Sequence, residues 1–126
     1  MLRIRYMVDE IEPAVEFYTR HLGFETKMKN APYFAMLSRD NLNFVLSTPF
    51  GPGGAAKPMS DGSKPEAGTG WNRMIVDVDD LKSEIERLKA AGVHFRNEIA
   101  TGPGGSEVIL DDPSGNPVEL FQPAKS

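Results

Sequence analysis

A chain of 126 residues with 40% hydrophobic and 25% charged side chains has the composition of one compact globular domain, long enough to bury a core without covalent staples. A net charge of −4 and the lack of any Lys/Arg cluster argue against nucleic acid and anionic membrane as partners. Zero cysteines exclude disulfides, thiolate metal sites and cysteine nucleophiles, and two histidines, His21 and His94, exclude chemistry that needs several imidazoles.

No apolar run approaches the ~20 residues a membrane span needs. The opening "MLRIRYMVDE" lacks an apolar signal-peptide core, and with the missing cysteines this points to the cytoplasm. From there the chain repeats one layout. An apolar alternating run, an acidic turn, an amphipathic helix and a Gly appear in "MVDEIEPAVEFYTRHLGF" (7–24) and again in "IVDVDDLKSEIERLKAAGVHF" (75–95). Ile11, Val15, Tyr18 and Leu22 form one apolar stripe; Leu81, Ile85, Leu88 and Ala91 form the other. Glu10, Glu12, Asp79 and Asp80 open the helices, Pro13 suits a first helical position, and Gly23 and Gly92 suit C-terminal caps.

Strands follow each helix: "FETKMK", "YFAMLSR" and "LNFVLST" after the first, "VHFRNEI", "SEVILD" and "PVELFQ" after the second. Turn signals "NAP", "RDN", "TGPGG" and "DPSGN" separate them. Each half therefore reads β-α-β-β-β, an α+β architecture in one domain over 1–126, with module one at 1–48 and module two at 71–126. The segment 49–70, rich in Gly, Pro and Ala, is too long for a simple connector; it is a crossover between halves or a functional flap.

The tandem unit, with "VDEIEPAVEFYTRHLGF" in the first half and "DPSGNPVELF" closing the second, resembles the glyoxalase / bleomycin-resistance / extradiol-dioxygenase superfamily across essentially the whole chain. The resemblance implies curved mixed sheets forming a cleft, commonly completed in a homodimer. It also implies a metal site with one ligand from the first and one from the last strand of each module. Here those positions carry Arg3, Val45, Arg73 and Glu119. Guanidinium has no lone pair to donate, Val has no ligand atom, and one carboxylate cannot replace the three or four ligands of a zinc or non-haem iron site. No metal or other cofactor is expected on this reading.

Strand alternation groups Arg3 with Arg5 and Met7, Val45 with Asn43 and Ser47, Arg73 with Trp71 and Ile75, and Glu119 with Pro117 and Phe121. Ile4, Tyr6 and Val8 take the helix face. The expected ligand-binding lining is thus Arg3, Arg5, Met7, Asn43, Val45, Trp71, Arg73, Ile75, Glu119 and Phe121. Glu119 is either the structural partner of Arg73 or Arg3, or leaves them free to grip an anion. Arg5 has no obvious acid and is the best candidate for an anion contact. Flanking arginines are expected to keep Glu119 ionised, hence a weak base. Trp71 is a stacking platform or a core aromatic, and Asp112 with "SGN" is turn chemistry.

Two functions follow. One is metal-independent binding or sequestration of a small, anionic or aromatic organic molecule. The alternative is a divergent lyase, isomerase or dioxygenase of the superfamily, with a divalent metal on ligands not recognised here. A domain serving only as a partner surface is a weaker third.

Overall fold

The computed structural model describes residues 1–68 and 70–125; Thr69, in the expected crossover, and Ser126 lie outside the described residues. The chain divides into two compact units, Met1–Thr69 with Pro113–Asn116, and Gly70–Asp112 with Pro117–Ser126. No helix among the described residues is long and apolar enough to cross a membrane.

In the first unit β1 (Arg3–Met7) leads into α1 (Ile11–Leu22), and β2 (Glu25–Asn30), β3 (Phe34–Arg39) and β4 (Leu42–Ser47) follow. The sheet order is β1-β4-β3-β2, with β1 parallel to β4 and the other pairs antiparallel. α1 buries Ile11, Val15, Tyr18 and Leu22, the expected stripe, along with Ala14 and Phe17. Tyr18 sits at the centre, with its ring 4.8 Å from Phe44 and 5.7 Å from Phe24, both in edge-on contact. Tyr6 and Val8 join this helix side, but Ile4, one pair nearer the strand end, stays 42% exposed. Gly23 closes the helix at φ 71, a conformation that favours glycine. The β3–β4 turn uses Asp40 at φ 52, which Asp tolerates better than most residues.

The second unit repeats the plan with β5 (Met74–Asp77), α2 (Leu81–Ala90), β6 (Ala100–Gly102), β7 (Gly105–Asp111) and β8 (Pro117–Pro123), in the order β5-β8-β7-β6. Asp80 caps α2 through the Ser83 amide and hydroxyl, bonds that hold its carboxyl below the usual range. The Gln122 side chain accepts from the Leu81 amide at 2.8 Å. Leu81 and Leu88 are buried, Ile85 is half-buried, and Ala91 is exposed at the C-cap and leaves the expected stripe.

"VHFRNEI" is not the strand its composition suggests. Residues 94–96 run along β7, with Asp111 N donating to His94 O and Arg96 N to Ile109 O, but the next ladder position is taken by the Asn97 side chain, which accepts from Ile109 N at 2.9 Å. A short polar side chain that bonds the ladder in place of backbone ends the strand. Pairing resumes only at β6. Asp111 fastens the detached piece, 2.6 Å from Arg96 Nε and 2.8 Å from His94 Nδ1.

The turn Pro113–Asn116 does more than reverse the chain. Asn116, 7% exposed, donates to Met7 O at 2.7 Å and accepts from Gly68 N at 2.8 Å, while Ser114 Oγ accepts from Asp9 N at 2.8 Å. "SGN" is therefore bonded into the first unit, at the end of β1 and at Gly68.

Candidate functional site

In the first unit, register decides which side chains share the face opposite α1. Arg5 lies across from Val45 and Val45 across from Met36; one row on, Ser47 lies across from Phe34. A cavity of about 270 Å³ opens on this face. Arg3, Arg5, Asn30, Ser47 and Thr48 supply its polar lining; Tyr33, Phe34, Met36, Val45, Phe50 and the run 52–56 supply the rest. The mixture of apolar wall and a few polar groups suits an organic ligand.

Arg5 donates through Nε to the buried Ser47 hydroxyl at 3.1 Å. That bond orients the guanidinium plane and leaves the terminal nitrogens available. Among the described residues no carboxylate pairs with Arg3 or Arg5. Of the expected first-module residues, Arg3, Arg5 and Val45 thus come together. Met7 and Asn43 share the sheet face but not the cavity lining, and Asn43 Nδ2 donates to Leu2 O at 3.4 Å.

The run 50–56 belongs to the expected crossover, and Phe50 with residues 52–56 walls the cavity. Thr48 Oγ1 anchors it, 3.1–3.2 Å from the carbonyls of Pro32, Tyr33 and Phe50. Gly51, at φ 111, lies so close to the Tyr33 ring that a Cβ there would collide with it. Gly51→Ala is therefore expected to cost about 1–2 kcal/mol in urea unfolding. Gly53→Ala is the control: its φ is −74, nothing lies within 4 Å of its added Cβ, and the change stays within about 0.5 kcal/mol. Equal losses would mean that the Gly51 contact is not what holds the loop.

The second unit disposes of its guanidinium differently. Glu119 sits between Ile75 of β5 and Ile109 of β7, its side chain 7% exposed. Arg73 places Nε and Nη2 each 3.0 Å from Glu119 Oε1, Nη2 3.9 Å from Glu107 Oε2, and Nη1 3.1 Å from Trp71 O. All three guanidinium nitrogens are engaged. Burial, with the Glu107 carboxylate adding to it, pushes the Glu119 carboxyl above its usual range despite Arg73. The expectation of a carboxylate held ionised by arginine is thereby reversed, because it left out the depth of burial first and Glu107, one strand away, second. Trp71 is no core aromatic at 78% exposure, Ile75 is 59% exposed and Phe121 is half-buried.

These residues do not suit the metal that the fold suggests. Glu119 is committed to Arg73, the other three positions carry Arg3, Val45 and Arg73, and no three His, Cys, Asp or Glu among the described residues group around a common point.

Sequence reasoning missed Tyr33, Phe34, Met36, Asn30, Glu107 and the run 50–56. Alternation within "YFAMLSR" carried a signal for Phe34 and Met36, since an antiparallel hairpin to "LNFVLST" sets them on the Val45 face. The loop carried none.

A family model described as Glyoxalase/Bleomycin resistance protein/Dioxygenase superfamily matches residues 1–120. The chain is 27% identical over 132 residues to a lactoylglutathione lyase of Arabidopsis thaliana, an alignment covering 96% of this chain and 43% of that protein. It spans less than half the length of the plant relatives it matches. Among solved structures, a lactoylglutathione lyase from Agrobacterium tumefaciens superposes with a TM-score of 0.73 at 20% identity, covering 97% of this chain and 92% of that one. TnmS3, an antibiotic binding protein from Streptomyces sp. CB03234, superposes with a TM-score of 0.66 at 20% identity, covering 98% and 97%. At such identities the two structures speak for the fold.

Proposed function

Because the chain belongs to the Glyoxalase/Bleomycin resistance protein/Dioxygenase superfamily, a fold that does not by itself choose between catalysis and binding, we propose that it is a metal-independent binder of a small, anionic or aromatic organic molecule. The observation that carries this is the contrast between its arginines. Arg73 is consumed by Glu119, whereas Arg5 is oriented by Ser47 beside an apolar cavity with no acid among the described residues to neutralise it. A guanidinium held in this way grips an anion by a two-point fork. The antibiotic binding protein of the same fold supports the reading by analogy. The lining of Arg3, Arg5 and Val45 serves as the binding surface; Met7 and Asn43 border it on the same sheet face. Trp71, Ile75 and Phe121 offer a second apolar surface in the other unit, where Arg73 and Glu119 satisfy each other.

A fragment screen read by amide chemical shifts tests this. Hits are expected to carry an acid group, to move the amides of Phe34, Val45 and Ser47, and to bind equally in the presence of a chelator. The second reading, a divergent lyase, isomerase or dioxygenase, draws on the names of the curated relatives. Stoichiometric zinc, nickel, iron or manganese that survives dialysis and is lost in Glu119→Gln would replace the first reading with the second. The proposed assembly is a homodimer, and a solution mass of one chain would remove it.

A further inference from the structure

Resting on the binding reading above, we infer that the first-unit cavity selects a monocarboxylic acid built on a single ring, with the carboxylate on Arg5 and the ring over Val45 and Met36. Two independent measures of the space agree on that size. An apolar cavity of about 150 Å³ is enough for benzene. The cavity here, at about 270 Å³, therefore takes a ring plus a short acidic arm and falls below the ~300–1,000 Å³ of sites for drug-sized ligands. The second measure is the row of side chains Arg5, Val45, Met36 on three adjacent strands. Strands lie about 4.8 Å apart, so the backbone row from Arg5 to Met36 spans roughly 10 Å, floor enough for one ring with a short acidic arm.

The same row supplies the polarity. Its cationic end is Arg5, whose Nε is held by Ser47, so the terminal nitrogens present a planar two-donor edge that matches the two oxygens of a carboxylate. Val45, 4% exposed, and Met36 make the middle and far end apolar, with Phe34 alongside in the next row. Arg3 stands one row further out, opposite Asn43, and lines the same cavity as a second cation. The loop sets the limit in the remaining direction: Thr48 ties it to the Pro32 and Tyr33 carbonyls, and Gly51 packs on the Tyr33 ring, so the space does not widen without breaking those contacts.

The test titrates phenylacetate, its neutral amide phenylacetamide, and 1-naphthylacetate into isotope-labelled protein and follows the amides of Phe34, Val45 and Ser47. Phenylacetate is expected to bind there at least tenfold more tightly than phenylacetamide, and more tightly than 1-naphthylacetate. Arg5→Ala is expected to erase the preference for acid over amide, and Arg5→Lys to restore it only in part, since the charge returns without the fork. Equal affinity for acid and amide, tighter binding of the two-ring acid, or an unchanged preference in Arg5→Ala would each overturn the inference. The first two would leave the cavity a binding site of another selectivity. No response of these amides to any of the three probes would remove the binding reading with it.

Discussion

Arg73→Ala is expected to lower the unfolding free energy by about 3 kcal/mol at neutral pH and by much less near pH 4. Breaking a buried ion pair by removing one member costs about 3–5 kcal/mol, and the lower end applies because the Arg73 side chain is 25% exposed. What remains in the variant is a buried Glu119 carboxylate with Glu107 beside it and no cation between them. Burial and Glu107 already raise the folded-state pKa of Glu119. A carboxyl raised on folding contributes stability that is complete below its unfolded pKa of about 4.3 and is lost as pH rises through the folded value. Removing Arg73 takes away the opposing influence, so the loss with rising pH steepens, and the gap to the parent protein closes on acidification. Glu119→Gln is the companion measurement. It keeps an oxygen for Arg73 and frees the guanidinium for Glu107, so it is expected to stay within about 1 kcal/mol of the parent, with a flatter pH dependence. Urea unfolding at pH 7 and pH 4 checks both. A loss in Arg73→Ala that is the same at the two pH values would assign the residue a packing role and not an electrostatic one.

Asn116→Ala is expected to cost about 2–3 kcal/mol. The substitution strips the bonds to Met7 O and Gly68 N, and each buried backbone group left without a partner costs about 1–3 kcal/mol. Asn116→Asp separates the two bonds. It keeps an acceptor for the Gly68 amide but sets a carboxylate against the Met7 carbonyl, so it is destabilised at pH 7. It recovers on acidification, once the neutral acid can donate in place of the amide nitrogen. A loss below about 0.5 kcal/mol in the alanine variant, measured by urea unfolding, would show that water replaces these bonds.

Much of the fold was legible. The stripe Ile11, Val15, Tyr18, Leu22 is the buried face of α1, because helix period and burial are the same fact seen twice. The repeated layout, with "FY…LGF" and "DPSGNPVELF" at their places, named the family that the match over residues 1–120 shows. The missing strand in 93–99 was not legible, since Val93, Phe95 and Ile99 alternate well and the interruption comes from one side chain, Asn97, bonding a strand that lies twelve residues on. Likewise "SGN" has the composition of any turn, and nothing in it announces a bond from Asn116 to a residue 109 positions away.

For the candidate site the division is similar. That three of the expected metal positions cannot hold a metal was written in the identities Arg3, Val45 and Arg73, because donor chemistry belongs to the residue type wherever it sits. That Arg3 and Arg5 share a face followed from alternation along one strand; that Val45, on another, joins them was implied only by the family resemblance. Which arginine is neutralised, which carboxylate joins Glu119, and which loop walls the cavity were decided only by the tertiary structure. Those outcomes depend on register between strands distant in the chain, on depth of burial and on where a loop comes to rest. A period of two or 3.6 residues records which way a side chain faces; what it meets there is set by long-range pairing, and long-range pairing leaves no local mark.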